Sequence, residues 1–307
     1  MRAAVIDLGT NTFNLIIAEK QNGKFVELYR DKRSVKLGKE GFAKNIIAPD
    51  AYQRAITAIK EYMQIIKKSD TKSIKAVATS AFRSTQNGAT LAKEIEQIIE
   101  SEVEIIDGDK EAEYIYYGIK AAVPLNNEIV LMIDIGGGSN ELILANNEKI
   151  FWKKSYPLGI SRLIENFKPS DPLNHQDINS ITKHIKATLN DFIEIIPTYN
   201  IQTLVGSSGS FDLIANIIHF KEHNKPLDPS KTYNYLNLLQ FTKVLDTLII
   251  SSYEQRKDIQ GMDMTRIEMI PIAALFVRTI IEYLRFNKII HSAYAIKEGV
   301  WIKTYCS

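Results

Sequence analysis

Two segments of this 307-residue chain share one pattern: an apolar run ends in Asp and is followed by a turn of small residues and a second apolar run. The aspartates are Asp7 and Asp134, 127 positions apart. The small residues of the two turns are Gly9, Thr10, Asn11 and Thr12 in the first copy and Gly136, Gly137, Gly138 and Ser139 in the second. Each turn offers a carboxylate and unpaired backbone N–H groups, which suits binding of phosphate together with a metal ion.

We therefore predict that both turns bind phosphate and that Asp7, Asp134 and Glu141, which follows the second turn, are ligands of Mg²⁺ or another divalent cation. The alternative for either copy is a plain hairpin turn. A hairpin needs only one or two residues with positive φ, so three consecutive glycines favour the phosphate-binding interpretation.

A third turn of small residues follows the apolar run that ends at Val205 and precedes a predicted helix. Its members are Gly206, Ser207, Ser208 and Gly209. Free N–H groups at a helix N-terminus attract anions, so this turn is predicted to bind a further phosphate or a nucleotide. An ordinary connection between a strand and a helix is the alternative.

Arg83, Ser80 and Glu111 are the remaining candidates. Arg83 follows a predicted strand, where a guanidinium can hold two phosphate oxygens at once, and Ser80 in the same segment is predicted to bind phosphate. Glu111 opens a predicted helix after Gly108. It is interpreted either as a residue favoured by the helix N-terminus or as a general base that activates a water for attack on phosphorus.

The bulk composition excludes some functional classes. The chain has 38 Lys and Arg against 36 Asp and Glu, so its formal charge of +2 gives no argument for nucleic-acid binding. The basic stretch Arg30–Lys39 is interpreted either as one edge of a polyanion groove or as a solvated strand and loop. Cys306 is the only cysteine, which predicts no intrachain disulfide and a cytoplasmic location. Without a leader or a long apolar run, we expect no membrane association.

The elements that must position these residues alternate in type. The first half is predicted to contain strands at 2–8, 13–19, 24–30, 74–79 and 103–106 and helices at 49–68, 88–100 and 110–122. The second half is predicted to contain strands at 129–134, 140–146, 149–156, 203–206 and 288–291 and helices within 159–197 and at 211–219, 235–250, 266–285 and from 296. Each half reads βββαβαβα, the second with helical insertions. The prediction is an α/β protein with an interdomain cleft.

We predict domain I at residues 1–123 and domain II at 124–291, with the C-terminal helix of 292–307 packing back on domain I. An exposed helix of the second domain is a candidate for a homodimer contact.

The motifs resemble those of the exopolyphosphatase and guanosine pentaphosphate phosphatase family, within the actin, Hsp70 and sugar-kinase superfamily of ribonuclease-H-like folds. The resemblance runs nearly end to end, in the short two-domain form. The segments that carry it are 4–12, 79–83, 108–112, 134–142, 158–163 and 296–300. It departs from the family pattern at Lys110, Glu113, Asn140 and Lys297.

The resemblance implies a Mg²⁺-dependent enzyme that releases terminal phosphate from inorganic polyphosphate or from guanosine pentaphosphate. It implies Glu111 as the catalytic base, Arg83 as a phosphate-binding arginine, and Gly138 and Ser139 as part of the phosphate loop. Asp134 falls on the acid associated with metal and attacking water. Two alternatives stay open: an ATP-dependent kinase or ATPase of the superfamily, and a non-catalytic sensor of guanosine tetraphosphate or pentaphosphate.

Overall fold

The computed structural model describes residues 1–306, apart from the side chain of residue 43. The first half contains a five-stranded sheet in the order β3-β2-β1-β4-β5, in which β1 pairs antiparallel with β2 and parallel with β4. Its elements are β1 (Arg2–Leu8), β2 (Thr12–Gln21), β3 (Lys24–Ser34), α1 (Pro49–Lys67), β4 (Ser73–Ala78), α2 (Ser80–Ser84), α3 (Gly88–Ile99), β5 (Val103–Ile105) and α4 (Gly108–Ala122).

The second half repeats this order with additions. Its sheet has the order β10-β11-β9-β6-β7-β8, so β6 occupies the place of β1 and the turn between β6 and β7 the place of the first turn. Its elements are β6 (Val130–Ile135), β7 (Asn140–Ala145), β8 (Ile150–Tyr156), α5 (Ile160–Phe167), α6 (His175–Thr188), α7 (Asn190–Ile195), β9 (Thr203–Ser207), α8 (Ser208–His223), β10 (Tyr233–Leu236), α9 (Leu238–Ile250), α10 (Tyr253–Lys257), α11 (Ile270–Ile281), β11 (Lys288–Ser292) and α12 (Ile296–Tyr305).

The predicted fold class is confirmed: two mixed sheets covered by helices, with the strand order of ribonuclease-H-like, actin-like domains. The helix predicted over 235–250 was wrong at its start, because residues 233–236 form an edge strand that pairs with β11. The helix begins after Asn237, whose side chain accepts a hydrogen bond from the backbone N–H of Gln240 at 3.0 Å. The helix predicted over 266–285 is confined to α11, with Pro271 in its first turn. The segment of Arg83, to which no element was assigned from the sequence, forms the short helix α2.

The core consists of three apolar layers separated by the two sheets. One layer lies between the sheets and contains α4 and α12, while the others pack α1 and α3 on the outer face of the first sheet and α5–α11 on that of the second. Side chains therefore alternate between two buried faces, and β1, β6 and β7 are buried almost throughout. The arrangement holds the ends of β1 and β6 rigidly.

Helices α4 and α12 cross at very short range. A Cβ on Gly118 would overlap the carbonyl oxygen of Ala295, and a Cβ on Gly299 would overlap that of Tyr114. The indole N–H of Trp301 also donates to the carbonyl of Ala3 in β1 at 3.1 Å. Helix α12 is thus packed on the first half of the chain. The domain boundary between residues 123 and 124 stays a prediction. No helix within residues 1–306 has the length and apolar character needed to cross a bilayer.

Candidate active site

A cavity of about 400 Å³ lies where the turns after β1 and β6 meet the first residues of α8 and α12. Most of the predicted site residues line this cleft. They are Asp7, Gly9, Thr10, Asn11, Thr12, Ser80, Glu111, Asp134, Gly136, Gly137, Gly138, Ser139, Ser208 and Gly209. The other four, Arg83, Glu141, Gly206 and Ser207, do not line it.

The two repeated turns face each other across the cleft. A Cβ on Gly138 would lie 2.6 Å from Ser80 Oγ and 2.7 Å from Thr10 Oγ1, and a Cβ on Gly137 would lie 2.6 Å from Asn11 Nδ2. Only glycine permits this approach at the second turn. The Thr10 hydroxyl is buried and has no hydrogen-bond partner within residues 1–306, so it is free to bind a ligand oxygen.

The first turn of α5 clamps the turns together. Ser161 Oγ donates to Asn11 Oδ1 at 2.7 Å, which joins the two halves of the chain. Arg162 Nε donates to the carbonyl of Gly138 at 3.1 Å, and another guanidinium nitrogen donates to Ser84 Oγ at 3.1 Å. Segment 158–163 is one of the segments that carry the family resemblance, and the sequence analysis assigned it no role. In the structure it fixes the spacing between the glycine turn and helix α2.

Asp134 is held by the third turn. Its Oδ2 accepts hydrogen bonds from Ser207 at 2.8 Å and Ser208 at 2.6 Å. Burial raises the pKa of this carboxyl, and the two hydroxyls partly oppose the rise. Ser207 is fully buried behind Asp134, and Gly206 packs against the ring of Phe211. Ser207 thus orients the aspartate from outside the cleft, and Ser208 orients it from the cleft lining.

Asp7 is the equivalent acid of the first turn and is 5% exposed. Asn14 in β2, which the sequence analysis did not identify, donates to Asp7 Oδ2 at 2.9 Å. Burial raises the pKa of Asp7 to about 7, against the opposing effects of Asn14 and Lys297. The negative charge of Asp134 adds to the rise, so the two turns are electrostatically coupled.

Glu111 lies in the first turn of α4 and is 8% exposed. The N-terminus of α4 is capped by Asp107, whose side chain accepts from the N–H of Lys110 at 2.7 Å, so capping does not require Glu111. Burial raises the pKa of Glu111 to about 7, while Arg83 opposes the rise and Asp7 adds to it. A carboxylate with this pKa is suited to act as a base near neutral pH.

Arg83 forms an ion pair with Glu111. One guanidinium nitrogen donates to Glu111 Oε2 at 2.7 Å and to the carbonyl of Ile106 at 2.7 Å. It therefore lies beside the base rather than in the cleft. Glu141 is 1% exposed, and its Oε1 accepts from Ser155 Oγ at 2.7 Å. Burial, with the charges of Glu111 and Asp134, raises the pKa of Glu141 well above its ordinary value.

The donor set fits a divalent cation that binds together with phosphate. Within residues 1–306, no three His, Cys, Asp or Glu side chains converge as a metal cluster. Mg²⁺ commonly binds through one or two carboxylates, waters and substrate phosphate, and Asp7 and Asp134 are two of the carboxylates that line the cleft. The buried negative charge of these acids is what a cation would neutralise.

Four cations that the sequence analysis did not assign to the site also line the cleft: Arg30, Lys32, Arg266 and Lys297. Arg30 and Lys32 belong to the basic stretch, so its β3 part lies at the cleft edge. Arg266 has no local motif that marks it, and Lys297 lies in segment 296–300 of the resemblance without an assigned role. Only the fold brings both to the turns. None of the residues that line the cleft in the described part of the chain is Phe, Tyr or Trp.

Comparison with known proteins agrees with this geometry. A crystal structure of an exopolyphosphatase from Cytophaga hutchinsonii superimposes with a TM-score of 0.95 at 34% identity, covering 99% of this chain and 98% of the other. Exopolyphosphatase 2 of Mycobacterium tuberculosis is 28% identical over 223 residues, 70% of each chain. A guanosine-5'-triphosphate,3'-diphosphate pyrophosphatase of Vibrio parahaemolyticus is 25% identical over 97% of this chain, which spans 58% of that relative. The model of the Ppx/GppA phosphatase family matches residues 16–305. The chain belongs to the Ppx/GppA phosphatase family.

Proposed function

We propose that this protein is an exopolyphosphatase, which hydrolyses the terminal phosphoanhydride bond of inorganic polyphosphate and releases orthophosphate. The observation that carries the proposal is Glu111, a buried carboxylate with a pKa of about 7 that lines the same cleft as the two small-residue turns. Hydrolysis needs a base for water and donors for phosphate oxygens, and both face one cavity here.

In the proposed reaction, the backbone N–H groups of the turns and the Thr10 hydroxyl bind the terminal phosphate. Glu111 accepts a proton from a water molecule, whose oxygen bonds to the terminal phosphorus as the bond to the bridging oxygen breaks. The bridging oxygen stays with the shortened chain. Asp7 and Asp134 would hold Mg²⁺, which when bound supplies positive charge to the phosphate oxygens.

We assign Arg83 the task of orienting Glu111, because its hydrogen bonds go to that acid and to the Ile106 carbonyl. Direct binding of phosphate by Arg83 stays a prediction. Glu141 has its carboxylate behind the cleft beside Ser155, so its assignment as a metal ligand is also a prediction.

Guanosine pentaphosphate is the alternative substrate, since it presents a similar terminal anhydride and a relative with that activity in its name aligns over 97% of this chain. The cleft favours polyphosphate. No aromatic side chain lines it within the described residues, so a guanine base would find no stacking partner there, whereas four cations line the cleft and favour a chain of phosphates.

The test is phosphate release from polyphosphate and from guanosine pentaphosphate, each with and without Mg²⁺. Glu111→Gln keeps the shape of the side chain and is expected to lower turnover about 10²- to 10⁴-fold, the usual contribution of a general base. Glu113→Gln, on the same helix but outside the cleft, is the matched control. Equal turnover of Glu111→Gln and wild type would refute the assignment.

The same samples separate the rival classes. A kinase or ATPase of the superfamily would form ADP from ATP with an acceptor, and a guanosine tetraphosphate or pentaphosphate sensor would bind nucleotide without turnover. A cytoplasmic location and a homodimer remain parts of this proposal, tested by cell fractionation and by light scattering.

A further inference from the structure

A buried glutamate organises two of the cleft cations. Glu298 lies in the first turn of α12 and is completely buried. Its Oε2 accepts a hydrogen bond from the backbone N–H of Ala295 at 2.9 Å, which fixes the carboxylate at the start of the helix. Its Oε1 lies 3.0 Å from Lys297 Nζ and 3.7 Å from a guanidinium nitrogen of Arg30. Within residues 1–306, no donor reaches Oε1 with hydrogen-bond geometry, so ionic contacts alone balance it.

The two cations are not equally available to a ligand. Arg30 also donates to both carboxylate oxygens of Glu27 at 2.6 Å, so its charge is already matched. Lys297 has no carboxylate partner other than Glu298 among the described residues. An ammonium group has three N–H donors, and its contact with Glu298 is ionic, without hydrogen-bond geometry. These donors belong to a side chain that is 16% exposed and lines the cleft.

Lys297 stays charged in this environment. Burial is the largest effect and lowers the pKa of the ammonium group, as does Arg30, but Glu298 and Asp212 together more than offset both and the pKa is raised. The same cation opposes the rise in the pKa of Asp7 and Asp134, so its charge acts on the acids of both turns. A ligand with many negative oxygens matches a fixed cation of this kind.

Lys297 and Glu111 lie at the starts of two helices that are packed directly against each other. Glu111 is in the first turn of α4 and Lys297 in the first turn of α12, and the two helices cross through Gly118 and Gly299 with no room for a Cβ. Such a crossing leaves little freedom for either helix to slide. The positions of the base and the cation across the cleft are consequently set by the same contact.

We propose that Lys297 binds a non-bridging oxygen of the phosphate chain in the cleft and that Glu298 is its positioning residue. The inference rests on the proposed function, because it assigns a substrate contact to the same site. Lys297 is the binding group, whereas Glu298 acts only through Lys297.

The direct test is binding of inorganic tripolyphosphate without divalent cation, measured by calorimetry, beside KM and kcat for polyphosphate with Mg²⁺. Lys297→Met should weaken binding and raise KM about 10- to 100-fold, the usual range for one charge-assisted hydrogen bond. Lys297→Arg should recover most of that loss. Glu298→Gln keeps an acceptor for Ala295 but loses the charge that holds Lys297, so it should weaken binding about 3- to 10-fold with a smaller change in kcat.

Lys303→Met is the control, because Lys303 is on the same helix, outside the cleft, with its Nζ 3.0 Å from Tyr117 Oη. Unchanged affinity and KM in Lys297→Met, or an equal loss in Lys303→Met, would overturn the assignment. If Glu298→Gln does not fold, as shown by circular dichroism, the two Lys297 variants decide the question. Wild-type protein that binds tripolyphosphate through Lys297 but releases no phosphate would refute the hydrolase and leave Lys297 as a binding residue.

Discussion

Replacing Asp7 by Asn should stabilise the protein at the expense of its chemistry. The carboxyl is 5% exposed, and burial raises its pKa from 3.8 to about 7. Asparagine has nearly the same shape and carries no charge. Its amide oxygen can accept the hydrogen bond that Asn14 now donates to Asp7 Oδ2 at 2.9 Å.

The sign follows from proton binding by the two states. Below pH 3.8 both the folded and the unfolded protein hold the proton on Asp7, so the substitution is neutral there. Between pH 3.8 and about 7 only the folded protein holds it, so folding stability falls as the pH rises. Above pH 7 the deficit is constant at about 4 kcal/mol, since each unit of pKa shift corresponds to about 1.4 kcal/mol. Asp7→Asn removes this deficit.

The assay is urea unfolding at pH 5 and pH 8 in buffer free of divalent cations. The gain in free energy of unfolding should be up to about 4 kcal/mol at pH 8 and smaller at pH 5. Asp50→Asn is the control, because a hydrogen bond from Arg54 lowers the pKa of exposed Asp50, so its loss should not stabilise. A variant with the same or lower stability than wild type at pH 8 would refute the reasoning about buried charge.

Three further outcomes are expected. The value of kcat/KM should rise with pH through about 7 as Glu111 loses its proton. Arg83→Ala should move this rise to higher pH, because Arg83 opposes the raised pKa of Glu111. An unchanged pH profile in that variant would show that the ion pair does not set the pKa of the base. Gly138→Ala should weaken tripolyphosphate binding at least about tenfold, since its Cβ would lie 2.6 Å from Ser80 Oγ; wild-type affinity would show that the turns separate freely. Chelation by EDTA should abolish phosphate release, and Mg²⁺ should restore it; activity in EDTA would argue against a metal-assisted reaction.

The sequence predicted the parts of the site that are local in the chain. The turn after Asp134 has three consecutive glycines, and the turn after Asp7 repeats its context, so residue type and spacing alone indicated close backbone approach to a ligand. The alternation of strands and helices predicted the sheets in the same way, because period and turn chemistry are local properties. The edge strand at 233–236 was missed because it is short and only its pairing with β11 stabilises it.

The parts that the sequence did not predict depend on contacts between distant segments. Arg83 and Glu111 are 28 positions apart, and nothing in either segment indicates that the arginine binds the base rather than the cleft. Lys297 reaches the cleft only because Gly118 and Gly299 let two helices cross closely. Gly299 was part of the resemblance, but the sequence did not show why glycine is needed there. A side chain at position 299 would overlap the carbonyl of Tyr114, in a helix far earlier in the chain.

The cleft is lined by both acidic and basic side chains, and this arrangement has a consequence for how ligands bind. The acids at the ends of β1 and β6 are buried, and Lys297 offsets only part of the rise in their pKa, so a divalent cation would relieve their repulsion, while the phosphate turns and Lys297 favour an anion. A cation bound at Asp7 and Asp134 also cancels the repulsion between these acids and phosphate oxygens. Each ligand should therefore increase the affinity for the other by the same factor, because coupling between two binding equilibria is reciprocal. The protein should bind the metal–phosphate pair far more tightly than the separate affinities for metal and phosphate imply.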